Sequence, residues 1–151
     1  MANNELSGPI VSMGLIDYFS KKKLEKTLRF IFIPETIGSI TWISKNINHI
    51  KDKIIGGYNL SCIGDNQNHS FVESKLKKSI FDKILVKNYK KKKIKFKRYS
   101  FLKRGSDERQ FNSPGVDLPF VTVCRTKFGE YKEYHTSVSY THLRAHETTR
   151  H

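Results

Sequence analysis

Three nearly continuous apolar runs, at residues 28–33, 54–63 and 118–124, constrain this chain more than any other feature. Each is strand-sized, and Arg29 is the one charged residue among them. A strand with apolar side chains on both pleat faces needs cover on both sides, the usual condition inside a parallel sheet. Pro34 stops the first run, and Gly64-Asp65-Asn66 follows the second. Between the runs the spacing changes from continuous to helical. Ile37, Ile40, Ile43 and Ile47 predict a helix over 36–50, and Leu76, Ile80, Ile84 and Leu85 predict another over 74–88. A first helix is expected over 7–22, capped by Ser7 with Pro9 in its opening turn. Ile10, Met13, Leu15, Ile16 and Phe19 would form its apolar side. Phe71 and Val72 suit a short strand, and 93–99 alternates as a strand with Ile94, Phe96 and Arg98 on one face. Residues 104–116 are turn-rich. Helix and strand alternate along 151 residues, which predicts one α/β unit with a largely parallel sheet.

The net charge of +14 is local. Between Lys75 and Arg104 stand 14 Lys or Arg and one acid, Asp82, while the rest of the chain is nearly balanced. Lys90, Lys91, Lys92 and Lys93 form the centre of this band, continued by Lys95, Lys97 and Arg98. Lys91, Lys92 and Lys93 are the candidates for contact with a polyanion, which would be held by counterion release. No helix-turn-helix, RNP-like aromatic motif or zinc finger accompanies them, so a solvated lysine surface is expected rather than sequence-specific nucleic-acid binding. No apolar run approaches the roughly 20 residues of a membrane-crossing helix. The N-terminus lacks the pattern of a secretory signal. Cys62 and Cys124 sit in apolar runs, as buried free thiols do. A cytoplasmic location is expected.

Open parallel sheets gather their ligands beyond the C-terminal ends of strands. The polar residues that follow the apolar runs are Glu35, Asp65, Asp107 with Glu108, and His135. Carboxylates and an imidazole on one rim could hold a zinc ion with an open position for water, beside a carboxylate base. No nucleophile elbow, P-loop or dinucleotide fingerprint is present.

Five segments in fixed order sharpen this reading: FIPETIGS at 32–39, CIGD at 62–65, RGSDERQ at 104–110, SPGVDLP at 113–119 and GEYKEYHT at 129–136. Together they resemble a bacterial aminopeptidase-like family allied to the zinc exopeptidases, whose members often accompany surface-polysaccharide genes. The resemblance spans about residues 1–137 and implies a fragment of a three-layer α/β/α sandwich with a mostly parallel sheet. It makes Glu35 the general base, and His135 a metal ligand with Asp65 and Glu5 as further candidates. Asp107 and Glu108 would line the active site. Three positions depart from the exopeptidase pattern. Thr36 stands where a second glutamate is usual, Ser61 where a ligand aspartate is usual, and Asn4 where the bridging aspartate is usual. These departures make one zinc ion the expectation for the intact protein, with two, or a binding protein that has lost catalysis, as the alternatives.

The resemblance also bears on the two ends. A His-bearing segment would precede Ala2 in the family, so Met1 looks internal. Residues 138–151 resemble the translation of a sequencing adapter, so His142, His146 and His151 are not counted as ligands. The expected function is that of a fragment of a metal-dependent hydrolase acting on N-terminal peptide or related amide bonds, itself inactive. The alternatives are a non-catalytic binding protein for a peptide or amine-bearing small molecule, and polyanion binding through 75–104.

Overall fold

The fold is decided by which apolar runs find a hydrogen-bonding neighbour. A computed structural model describes residues 2–136 and 138. The adapter-like segment from residue 139 onward, with its three histidines, lies outside the described residues. Two short helical segments open the chain, α1 (Ala2–Glu5) and α2 (Ser7–Ser20), followed by α3 (Ile37–Lys53). Strands β1 (Gly57–Leu60) and β2 (Ser70–Val72) precede α4 (Ile80–Lys91) and β3 (Lys97–Tyr99). A 3-10 turn (Phe101–Lys103) leads to α5 (Glu108–Phe111) and β4 (Phe120–Cys124). The sheet runs β1-β4-β2-β3. β1 pairs with β4 in parallel, as β2 does with β3, whereas β2 and β4 are antiparallel. The α/β class is as expected, and the sheet is mixed, with two of three pairings parallel.

Register places Phe120, Thr122, Cys124 and Val72 on one face, and Val121, Val123 and Phe71 on the other. On the first face Phe120 joins Ile43, Ile50, Phe111 and Leu118, from α3, α5 and the approach to β4. Val72 and Cys124 join Cys62, Phe128 and Tyr131 at the opposite end of that face. On the second face Phe71 meets Tyr89 of α4, and Tyr58 of β1 meets Phe81 edge to face. Helices therefore cover both sides of the central strands.

Three expectations are corrected. Residues 28–33 form no strand; Leu28 and Phe32 are 48% and 53% exposed. An apolar run becomes a strand only where a neighbour takes its N–H and C=O groups, and among the described residues none does. Helix α2 does not bury its predicted apolar side. Ile10 and Met13 are exposed, and its buried residues are Ser7 and Gly8. Ser7 is inside the helix rather than its cap: its hydroxyl bonds the Asn3 carbonyl and accepts Ile63 N–H at 2.9 Å. Gly8 passes so close to β1 that a Cβ there would lie 2.4 Å from Leu60 O. The helix docks by its first turn. Finally, α4 starts at Ile80, not Ser74. Ser79 and Asp82 form a capping box, and Asp82 also accepts Ser74 N–H at 3.1 Å. That leaves 74–79 as a turn folded against the cap.

One carboxylate ties the loops at the end of β1 and β4. Asp65, 4% exposed, accepts Thr126 N–H at 2.9 Å, Thr126 Oγ1–H at 2.7 Å, Gln67 N–H at 3.0 Å and Asn3 Nδ2–H at 3.3 Å. Asn3 completes the joint by accepting Gly64 N–H at 2.8 Å. Burial pushes the Asp65 carboxyl up, but the bonds from Thr126, Gln67 and Asn3 outweigh it, and the pKa lies below the ordinary carboxylate value.

Asp65→Asn should destabilise the chain by about 2 kcal/mol at neutral pH, because either amide orientation sets an NH2 group against an N–H donor. A depressed folded-state pKa stabilises above the unfolded value and loses that effect as pH falls through the folded value. The gap between the two proteins in urea melts should therefore close below about pH 4. A gap independent of pH would contradict this account. Gly8→Ala should cost about 1–3 kcal/mol in the same melts, through the clash with Leu60.

Candidate functional site

The rim beyond β1 and β4 is built from short polar side chains. Leaving β1, the chain turns through Ser61 and through Cys62, which has a positive φ of 51°. Ser61 Oγ and Cys62 Sγ both donate to Asn4 Oδ1, each at 3.3 Å. The other end of the Asn4 amide, Nδ2, lies 3.4 Å from His135 Nε2. An amide NH2 can only donate, so this contact calls for an unprotonated Nε2 and places the neutral ring's proton on Nδ1. The His135 ring stacks on Tyr134, with centroids 4.0 Å apart, and Tyr134 meets Tyr131 edge to face. Tyr131 OH lies 3.5 Å from Cys62 Sγ, which closes the cluster.

Burial governs the thiol and the two phenols of this cluster. Burial, above all, raises the Cys62 thiol; hydrogen bonds from Tyr131 and Ser61 draw it partly back, and the charges of Asp65 and Glu35 push it further up. Cys62 is accordingly a thiol donor and not a thiolate nucleophile. Burial raises Tyr131 and Tyr134 as well, and the charges of Cys62 and Glu35 add to the effect on Tyr134. The field of Glu35 thus reaches both Cys62 and the ring that stacks on His135.

Glu35 is exposed and stands before a strained corner. Thr36 has a φ of 63°, an uncommon conformation for a β-branched residue. Asp107 holds it there: Oδ1 accepts Thr36 N–H and Ser39 Oγ–H, both at 2.8 Å. Arg109 Nη2 donates to Thr36 Oγ1 at 3.2 Å. Asp107 therefore braces the start of α3 beside Glu35. Glu108, wholly buried, accepts Gly105 N–H at 2.8 Å and Ser106 N–H at 3.2 Å, and also bonds Thr122 of β4. Its carboxylate braces the 105–108 turn against the sheet.

The expected zinc ligands do not assemble. Asp65 spends its oxygens on Thr126, Gln67 and Asn3, and Glu5 is exposed on α1. Among the described residues no group of three or more His, Cys, Asp and Glu could hold a metal ion. A neutral amide, Asn4, is what faces His135. The donors that surround His135 among the described residues, the amide of Asn4 foremost, do not fit a zinc ion. Lys91 ends α4, Lys92 is its C-cap and Lys93 follows with φ of 55°; all three are exposed, and the positive charge at a helix C-terminus suits its dipole. No helix among the described residues is long and apolar enough to cross a membrane.

Asn3, Cys62, Thr126, Tyr131 and Tyr134 escaped the sequence reading. The available signal was the adjacency of Asn3 and Asn4, and of Tyr131 and Tyr134 to His135. Neither reveals which groups meet across more than 50 residues.

Comparison with known proteins places the chain among relatives. A family described as a domain of unknown function, DUF4910, matches residues 1–148. A Clostridium acetobutylicum protein described as a "putative polysaccharide biosynthesis protein with aminopeptidase-like domain" is 38% identical over 137 residues, 91% of this chain and 31% of its own length. A crystal structure from Clostridium acetobutylicum, described as a "putative peptidase", superposes with a TM-score of 0.90 at 35% identity, over 95% of this chain and 34% of the other. The chain spans about a third of each of these relatives. It belongs to the DUF4910 family and is a homologue of the clostridial protein with an aminopeptidase-like domain.

Proposed function

We propose that this chain supplies the ligand-reading rim of an aminopeptidase-like protein. It would bind a peptide N-terminus or another amine-bearing group without a metal ion of its own. The observation that carries the reading is Asn4. Its amide bonds Ser61, Cys62 and His135 at once, so the position where a metal centre needs an anionic oxygen holds a neutral hydrogen-bonding group. Neutral acceptors with one uncommitted carboxylate suit an ammonium better than a dication. Glu35 is that carboxylate: it is exposed, and its field falls on Cys62 and Tyr134. The kinship with aminopeptidase-like proteins and the α/β fold with its mixed, mostly parallel sheet support an amine-recognising role.

Hydrolysis of an N-terminal amide bond is the second reading, and the same exposed Glu35 favours it. There Glu35 would take a proton from water, and His135 would orient the amide through Asn4. The ligands for zinc would then have to come from outside this chain. A cytoplasmic protein acting on a small amine-bearing ligand, rather than on nucleic acid or a membrane, is the setting we propose.

Calorimetric titration with a dipeptide amide, in the presence of a chelator, tests the first reading. The free-amine ligand should bind and its N-acetylated form should bind at least about tenfold more weakly, since acetylation removes the charge that Glu35 recognises. Glu35→Gln should remove that preference. Chelator-sensitive release of N-terminal residues by the unaltered chain would overturn metal-free binding in favour of hydrolysis.

A further inference from the structure

A second polar cavity, of about 540 Å3, opens on the same sheet edge, where the chain enters β2 and β3. Its wall includes Asn68, His69, Lys95 and Lys97, with Ile94 and Phe96 on the apolar side. No carboxylate lines it. Lys95 and Lys97 are exposed, two positions apart on the approach to the edge strand β3. Neither takes part in the ion pairs found among the described residues.

Behind His69 stands a third cation. Arg125 Nη1 lies 2.9 Å from His69 Nε2, Nη2 donates to Asn66 Oδ1 at 3.4 Å, and Nε is buried without a partner among the described residues. All the hydrogen-bonding partners of this guanidinium are neutral. A half-buried arginine ordinarily faces a carboxylate, and among the described residues none pairs with this one. Arginine cannot accept a hydrogen bond, so His69 Nε2, the nearer ring nitrogen at 2.9 Å against 3.5 Å for Nδ1, is the acceptor, and the ring lines the cavity from there. Burial, above all, and the Arg125 charge hold His69 below its ordinary pKa, against the opposing charge of Asp65.

We propose that this cavity binds a phosphate monoester, its phosphoryl oxygens held by Lys95, Lys97 and His69 and its organic part lying over Ile94 and Phe96. The chemistry is that of a compact oxyanion with a body attached. The wall offers donors and positive charge at one side and apolar surface at the other, in a space larger than a bare phosphate fills. The cavity adjoins the rim described above: Asn68 Nδ2 donates at 3.4 Å to Thr126 Oγ1, which bonds Asp65. The lysine run of α4 is separate, since Lys91, Lys92 and Lys93 do not line the cavity.

NMR of the His69 ring during titration of the whole chain with inorganic phosphate, then with glucose 6-phosphate, decides the matter. Both should give saturable shifts at His69, with the sugar phosphate at least about threefold tighter, and bound anion should raise the His69 pKa. Lys95→Gln with Lys97→Gln should weaken both by about tenfold or more. Lys91→Gln with Lys92→Gln should change them by less than about twofold, since neither lines the cavity and exposed charges are screened by salt. Circular dichroism of each variant should match the parent, because all four lysines are exposed. Absence of a saturable His69 shift would overturn the proposal, as would equal loss in the two double variants. Perturbation by a short single-stranded DNA but not by either phosphate would overturn it in favour of a polyanion surface.

Discussion

The Asp65 carboxylate holds the working end of this molecule together. An ion removed from water is costly unless hydrogen bonds replace its hydration, and here four donors from three stretches of chain do so. Those stretches are the opening helix, the turn after β1 and the loop after β4. Because Asn3 is fixed by this joint, Asn4 is placed against Ser61, Cys62 and His135. The rim therefore depends on a group whose own oxygens are already committed. A residue expected to bind metal turns out to organise its neighbours.

Secondary structure was legible where the spacing itself carried the information. Ile43 and Ile47 of the expected α3 stripe pack with Phe111 and Phe120, although Ile37 and Ile40 of the same stripe are exposed, and Phe71 and Val72 divide between the two sheet faces as a strand must. It was misleading where apolar character had no partner. Residues 28–33 have the composition of a buried strand, yet a ladder needs a second strand, and composition cannot supply one. The antiparallel pairing of β2 with β4 was likewise hidden. Three residues of β2 carry no mark of direction, which is set by the connections around them.

The site was legible as a set of loops and not as a set of contacts. Glu35, Asp65, Asp107 and His135 do lie on turns beyond apolar segments. What each carboxylate does was decided by the donors that surround it: Asp107 braces Thr36, Glu108 braces the 105–108 turn, and Asp65 joins the loops. Glu35 alone among these carboxylates is exposed and without a bracing bond to its side chain among the described residues. The departures at Asn4, Thr36 and Ser61 were visible as residue types, and the structure shows what they mean together. Two of them, Asn4 and Ser61, bond each other and fill the place beside His135 with neutral groups.

The central proposal is that this rim works as a hydrogen-bonded cluster around Asn4 rather than as a metal centre. Titration of zinc into the chain, read at the ring nitrogens of His135 by NMR, tests it most directly. With one equivalent of zinc, the His135 nitrogens should keep the pattern they show without zinc. In Asn4→Asp, which places a carboxylate beside Nε2, the same addition should shift them toward metal-bound values. A metal-bound His135 in the unaltered chain at one equivalent would contradict the claim.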